Sequence, residues 1–178
     1  MKRQDLRIIV EGMDGSGKST LISRLIYEFP QLELVRNPLD DKQDFEKWWP
    51  QELDRQKSDR VPIHDRFFYS ELIYGPVIRG KLSVGDVLIN NVALFLRSHS
   101  LLIYTRPSVD SMIEAIHAQP QMEGVKAHFQ DLVSMYDKLM MVEHKWYLDR
   151  FFAYNWQNPG GRDLVEATVR HYLNGTMQ

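Results

Sequence analysis

The 178-residue sequence predicts a single α/β domain built on a parallel sheet covered by helices, and three observations lead there. Short apolar runs recur between longer stretches with helical spacing. The first of these runs opens abruptly into a glycine-rich turn and then a helical pattern. Finally, the length suits one sizeable core, whereas two cores would each be small. No linker, repeat or low-complexity tract divides positions 1–178, so one domain is expected throughout.

The apolar runs LRIIVE (6–11), LELVR (32–36), VPIHD (61–65), SLLIYT (100–105) and RFFAYN (150–155) read as five strands. After the first, Leu21, Ile22, Leu25, Ile26 and Phe29 share one helical face until Pro30 ends it. Near 41–56, Phe45, Trp48, Trp49 and Leu53 mark a second helix that Pro50 is expected to kink or divide. Gly80 separates helical patterns at 68–80 and 83–98, and HAQPQMEG separates those at 108–118 and 125–148. The last pattern, 161–173, follows Asn158-Pro159-Gly160-Gly161 and stops at Asn174-Gly175, a helix-stop signal.

Charge and composition narrow the function. Lys+Arg 22 against Asp+Glu 24 leaves a formal charge of −2, which gives no net field for holding nucleic acid. The apolar run in MKRQDLRIIV is short and ends in Glu11, unlike a signal peptide, and no segment approaches the roughly 18 apolar residues of a membrane span. With Cys 0 there is neither a disulfide framework nor a thiolate metal site. The expectation is a cytoplasmic protein with no membrane partner.

Residues 12–19, Gly12-Met13-Asp14-Gly15-Ser16-Gly17-Lys18-Ser19, satisfy G-x-x-x-x-G-K-[ST] between a strand and a helix. Glycines let the backbone wrap closely around phosphate, and amides at a helix N-terminus point at its oxygens. Lys18 adds charge near the β- and γ-phosphates, and the Ser19 hydroxyl can bind Mg²⁺. Gly12, Asp14, Gly15, Ser16, Gly17, Lys18, Ser19 and Thr20 are therefore the expected nucleoside triphosphate site. These residues face phosphates, so ATP and GTP stay open.

VPIHDRFFYSELIYG (61–75) is the second informative stretch. A strand ending in Asp65 sets a carboxylate at the edge where open α/β sheets bind ligands, to act through Mg²⁺ or on an acceptor hydroxyl. Arg66 beside it can bridge phosphate oxygens by two hydrogen bonds. A surface pair capping the next helix is the plainer alternative. Phe67, Phe68 and Tyr69 suit helix packing, with one of them free to stack on a nucleobase.

EGMDGSGKST (11–20) resembles the phosphate loop of thymidylate kinases and their relatives, which reads Glu-Gly-x-Asp/Glu-Gly-x-Gly-Lys-Ser/Thr-Thr. The likeness continues in order. Arg36-Asn37-Pro38 stands where those enzymes carry Arg-Glu-Pro, Asp65-Arg66-Phe67 matches their Asp-Arg-aromatic motif, and Ser70 and Tyr74-Gly75 fall in the following helix. The resemblance implies the three-layer P-loop NTPase fold, a five-stranded parallel sheet of order 2-3-1-4-5 flanked by helices. It implies acceptor-binding helices near 38–60 and 66–98 and a short lid near 117–125. It further implies that Asp14 approaches the acceptor sugar, that Arg36 and Arg66 approach its phosphate, and that Asp65 supports Mg²⁺ or acceptor positioning; from the aromatic run itself, Phe67 and Tyr69 are the rings expected at the acceptor.

Two departures stand out. Asn37 replaces the usual glutamate, and HAQPQMEGV (117–125) has no arginine where related kinases often place a basic lid. Because arginine is a major electrostatic contributor to phosphoryl transfer, Arg106 after the fourth strand is the expected substitute, ahead of Arg97 and Arg150. His64, Trp48, Trp49 and Tyr136 read as packing residues, and the six histidines form no convincing metal set. Asn155-Trp156-Gln157-Asn158 occupies the place where related kinases contact the donor base, or is an ordinary loop.

The expected function is an ATP- and Mg²⁺-dependent phosphotransferase acting on a nucleoside monophosphate, with Lys18, Asp65, Arg66 and Arg106 as catalytic groups. The alternatives are a deoxynucleoside kinase, a kinase of a hydroxylated base or end in DNA, which the net charge does not favour, and a regulatory ATPase without an acceptor. A homodimer is left open.

Overall fold

The computed structural model describes residues 6–36, 44–54, 60–118, 120 and 123–175. β1 (Arg7–Glu11) is buried at every position, which an apolar run flanked by strands and covered on both faces requires. It pairs in parallel with β3 (Val61–Asp65) on one side and β4 (Ser100–Thr105) on the other. β2 (Leu32–Arg36) and β5 (Phe151–Tyr154) complete a parallel sheet of order β2-β3-β1-β4-β5.

Side-chain alternation divides the core between two faces. Ile8, Val10, Ile63, Leu101 and Ile103 pack with α1 (Lys18–Glu28) and α7 (Gly161–Leu173). Ile9, Leu102 and Tyr104 face the opposite layer, formed by α2 (Phe45–Leu53), α3 (Phe68–Tyr74), α4 (Asp86–His99), α5 (Val109–Ala118) and α6 (Phe129–Tyr147). Each fully buried Leu, Ile or Phe contributes about 1.5–3 kcal/mol over its exposed state.

Pro50 neither divides α2 nor ends it. The proline forfeits one hydrogen bond, to the carbonyl of exposed Glu46, where water can replace it, while Trp49 packs against both Phe45 and Phe67. The helical pattern at 68–80 is really α3 followed by a π-helical turn, Gly75–Arg79, that closes at Gly80 in the left-handed region. Pro76 explains the change, because a proline lacks the N–H that regular helical bonding needs. Of the lid segment, 119, 121 and 122 lie outside the described residues. Turns at 123–128 bury Val125 and bring Gly124 against Ile78. No described helix is long and apolar enough to cross a membrane.

Candidate active site

Parallel pairing brings the C-terminal ends of all five strands to one edge, and the loop after β1 wraps there. Gly12, Gly15 and Gly17 all have positive φ. Gly12 is sterically irreplaceable as well: a Cβ there would lie 2.3 Å from Thr105 Oγ1 and 2.6 Å from its carbonyl. Gly17 caps α1 in the left-handed conformation, so the first amides of that helix face the loop. The Lys18 ammonium folds over the loop and donates to the Met13 carbonyl at 2.8 Å. Burial, reinforced by the nearby Arg66 guanidinium, lowers its pKa to about 7.

Ser16 serves the loop rather than its ligand. Its hydroxyl lies 2.6 Å from that of Thr105, and Thr105 in turn donates to the Glu11 carbonyl. Ser19 and Thr20 are exposed at the start of α1, and Ser19 donates to Asp65 Oδ2 at 3.4 Å. Hydroxyl and carboxylate form an all-oxygen pair of the kind that holds Mg²⁺ together with substrate phosphates, and so these residues fit that ion. No group of three or more metal-ligating His, Cys, Asp or Glu side chains occurs among the described residues.

Beside the loop lies a charged cluster. Arg66 adopts φ 65, rare for a residue with a Cβ, and its amide donates to the Val10 carbonyl. Its guanidinium donates to Asp14 Oδ1 at 2.6 Å and to Tyr136 Oη at 3.1 Å, and it lies 4.7 Å from the centre of the Tyr74 ring. Tyr74 donates to Asp14 Oδ2 at 2.8 Å. Burial would raise the Asp14 carboxyl, but Arg66 and Lys18 outweigh it and hold the pKa below the usual carboxylate value.

Glu11, which the sequence presents as the end of an apolar run and the first residue of the phosphate-loop pattern but with no role of its own, organises this cluster from beneath. Its fully buried carboxylate accepts from the amides of Phe67 and Ser70, from the Ser70 hydroxyl at 2.7 Å and from Tyr136. It thus satisfies orphan donors at the start of α3 and fixes the turn that carries Arg66. A carboxylate beside the glycine at a buried strand's end was the available signal.

Several expected site residues lie elsewhere. Phe67 is fully buried among Trp48, Trp49 and His64, and Tyr69 is fully buried with its hydroxyl bonded to Glu143 and Tyr147, so neither faces an acceptor. Tyr74, two turns along the same helix from Phe67, reaches the cluster instead. Arg106 is engaged within the protein: Asp137 of α6 grips it through both carboxylate oxygens, at 2.8 and 2.9 Å, and Pro107 O takes a further N–H. Arg97 pairs with Glu143 and Arg150 donates to the Arg97 carbonyl, both at the opposite end of the sheet. Arg36 is exposed at the end of β2, in register with Asp65, while Asn37 and Pro38 lie outside the described residues.

On the far side of the loop opens a cavity of about 560 Å³, lined in part by Gly17, Thr20, Arg24, Trp156 and Arg162. The half-exposed Trp156 indole lies against Gly17, and its neighbour Gln157 ties the loop after β5 to Ser108 and Ser111.

A glycine-rich loop between β1 and α1, at the centre of a parallel sheet of this order, defines a three-layer P-loop NTPase fold. Solved structures share it. The YorR protein of Bacillus subtilis, in complex with phosphorylated GDP, is 16% identical with a TM-score of 0.70, over 97% of this chain and 99% of that one. Deoxyadenosine kinase from M. mycoides with bound dATP is 18% identical, with a TM-score of 0.61 over 92% and 98%. Thymidylate kinase from Candida albicans is 16% identical, with a TM-score of 0.55 over 96% and 91%. No protein-family model and no curated protein sequence matches the chain. At these identities the likeness establishes the fold.

Proposed function

We propose that this protein transfers the γ-phosphoryl group of ATP to a nucleoside monophosphate or a closely related nucleotide. The observation that carries the reading is the convergence of three groups at one sheet edge: the phosphate loop with Lys18, the Ser19–Asp65 pair, and the Asp14–Arg66–Tyr74 cluster. A hydrolase that uses water needs no second polar cluster beside its phosphate loop, whereas a kinase needs somewhere to seat the acceptor. Kinases of nucleosides and nucleotides among the structural neighbours support the same reading.

Lys18 and the α1 amides bind the triphosphate and neutralise charge as it shifts in the transition state. Ser19 and Asp65 would hold Mg²⁺, which when bound would screen the charge on the phosphate oxygens. Arg66, and Arg36 from the end of β2, hold the acceptor phosphate, and Asp14 orients an acceptor hydroxyl. The cavity beside Trp156 takes the donor nucleoside. Arg36→Met and Arg66→Met test the assignment: each should depress phosphorylation of a monophosphate far more than background ATP hydrolysis. If both variants phosphorylate monophosphates normally, the acceptor side is wrong.

A further inference from the structure

The cluster contains an ion pair that joins the two groups assigned above to the acceptor, Asp14 and Arg66. Both Asp14 oxygens are engaged, one by Arg66 at 2.6 Å and the other by the Tyr74 hydroxyl at 2.8 Å. Arg66 has a second anchorage, to Tyr136 Oη at 3.1 Å and Ser70 Oγ at 3.4 Å, and Glu11 stands behind both hydroxyls. The two anchorages differ in kind: the hydroxyls are neutral, whereas Asp14 is an anion. Exposure separates them too, since the Asp14 side chain keeps 29% of its surface whereas Tyr136 and Ser70 are buried.

We propose that Asp14 occupies, in the ligand-free protein, the position at Arg66 that an acceptor's phosphate takes, so that the pair selects acceptors bringing both a phosphate and a hydroxyl. The inference rests on the functional reading above and adds a selection rule to it. A neutral nucleoside offers Asp14 a hydroxyl but leaves the Arg66 guanidinium buried without an anion. A bare anion satisfies Arg66 but strands Asp14. Both are penalised, because a partly buried charge stripped of its partner is costly. A hydroxylated phosphate ester satisfies both groups at once, and the resulting difference in affinity is the specificity. Tyr136 and Ser70 keep the guanidinium aimed while Asp14 turns away, and the burial of Arg66 makes the anion requirement strict.

The test uses full-length protein labelled with ¹⁵N-arginine, reading the Arg66 Nε–Hε resonance, which is assigned by its loss in Arg66→Met. Inorganic phosphate, the four deoxynucleosides and their 5′-monophosphates are titrated separately. In Asp14→Asn, inorganic phosphate should shift the Arg66 signal at roughly tenfold lower concentration than in the wild type, a factor worth about 1.4 kcal/mol. Asp14→Ala, which removes the carboxylate altogether, should give a gain of the same sign, and it keeps the test open should Asp14→Asn not fold. In the wild type at least one monophosphate should act below the concentration needed for inorganic phosphate, and no nucleoside should move the signal. The proposal is overturned if neither variant gains affinity for phosphate, or if a nucleoside binds as tightly as its monophosphate. Loss of γ-phosphoryl transfer from ATP, measured separately, tests the functional reading and leaves this titration interpretable.

Discussion

Glu11→Gln replaces a buried carboxylate by a nearly isosteric amide, removing the charge and turning one of its two acceptor oxygens into a donor. Four donors meet Glu11: the Phe67 amide at 2.9 Å, the Ser70 amide at 3.3 Å, the Ser70 hydroxyl at 2.7 Å and the Tyr136 hydroxyl at 3.3 Å. Hydrogen bonds to a charged acceptor are worth about 1.5–3 kcal/mol and neutral ones about 0.5–1.5, so each short bond loses about 1 kcal/mol. The two short bonds dominate, and the longer pair adds less, for a total of about 2–3 kcal/mol. In a chain of this size 1 kcal/mol moves Tm by about 2–4 °C, so thermal unfolding should fall by about 5–10 °C. The turn carrying Arg66 loses its support as well, so turnover with the acceptor should fall more than ATP affinity. Calorimetry and acceptor kinetics read the two effects. A Tm within about 1 °C of wild type, with unchanged kinetics, refutes the claim that Glu11 organises the site.

Lys18→Ala should leave the fold intact and slow transfer by at least about 10²-fold, since removing one electrostatic transition-state group costs about 3–4 kcal/mol; steady-state kinetics with circular dichroism decide it. Because folded Lys18 titrates at about 7 while an unfolded lysine holds its proton to about 10, the unfolded chain binds more protons in that window. Stability of the ligand-free protein should therefore rise with pH from about 7 upward. Urea midpoints across that range should climb less steeply in Lys18→Met, and parallel curves would contradict the buried, poorly charged lysine. Arg106→Lys should retain wild-type turnover, as Asp137 already holds the guanidinium, and should cost at most about 1 kcal/mol of stability because the pair is partly exposed. A selective loss of turnover there restores Arg106 to the phosphate site.

The fold was legible because its signals are local. Ile8-Ile9-Val10 running into Gly12 announces a central strand and its loop, and Asp65 at the end of another apolar run announces the ligand edge. The acceptor face was not legible in the same way. In Phe67-Phe68-Tyr69-Ser70-Glu71-Leu72-Ile73-Tyr74 nearly every residue is apolar or aromatic, so periodicity cannot say which ring faces the loop; the turn at Arg66, with its positive φ and its tie to Glu11, precedes a helix that buries Phe67 and presents Tyr74. The partner of Arg106 was hidden for a different reason: the carboxylate that holds it, Asp137, comes from another helix, and no spacing rule joins them. Glu11 and Thr105 brace the loop through contacts between β1, β4 and α3, which a one-dimensional reading does not connect.

The central claim is that γ-phosphate leaves ATP for a nucleotide acceptor held by Arg66. Incubating the protein with γ-labelled ATP, Mg²⁺ and, in turn, each common nucleoside, nucleoside monophosphate and a short DNA measures it directly. Label should appear on a monophosphate, giving a diphosphate, and this product should vanish in Lys18→Ala and Arg66→Met. Label found only in inorganic phosphate, at a rate no acceptor changes, contradicts the account and makes the protein an ATPase.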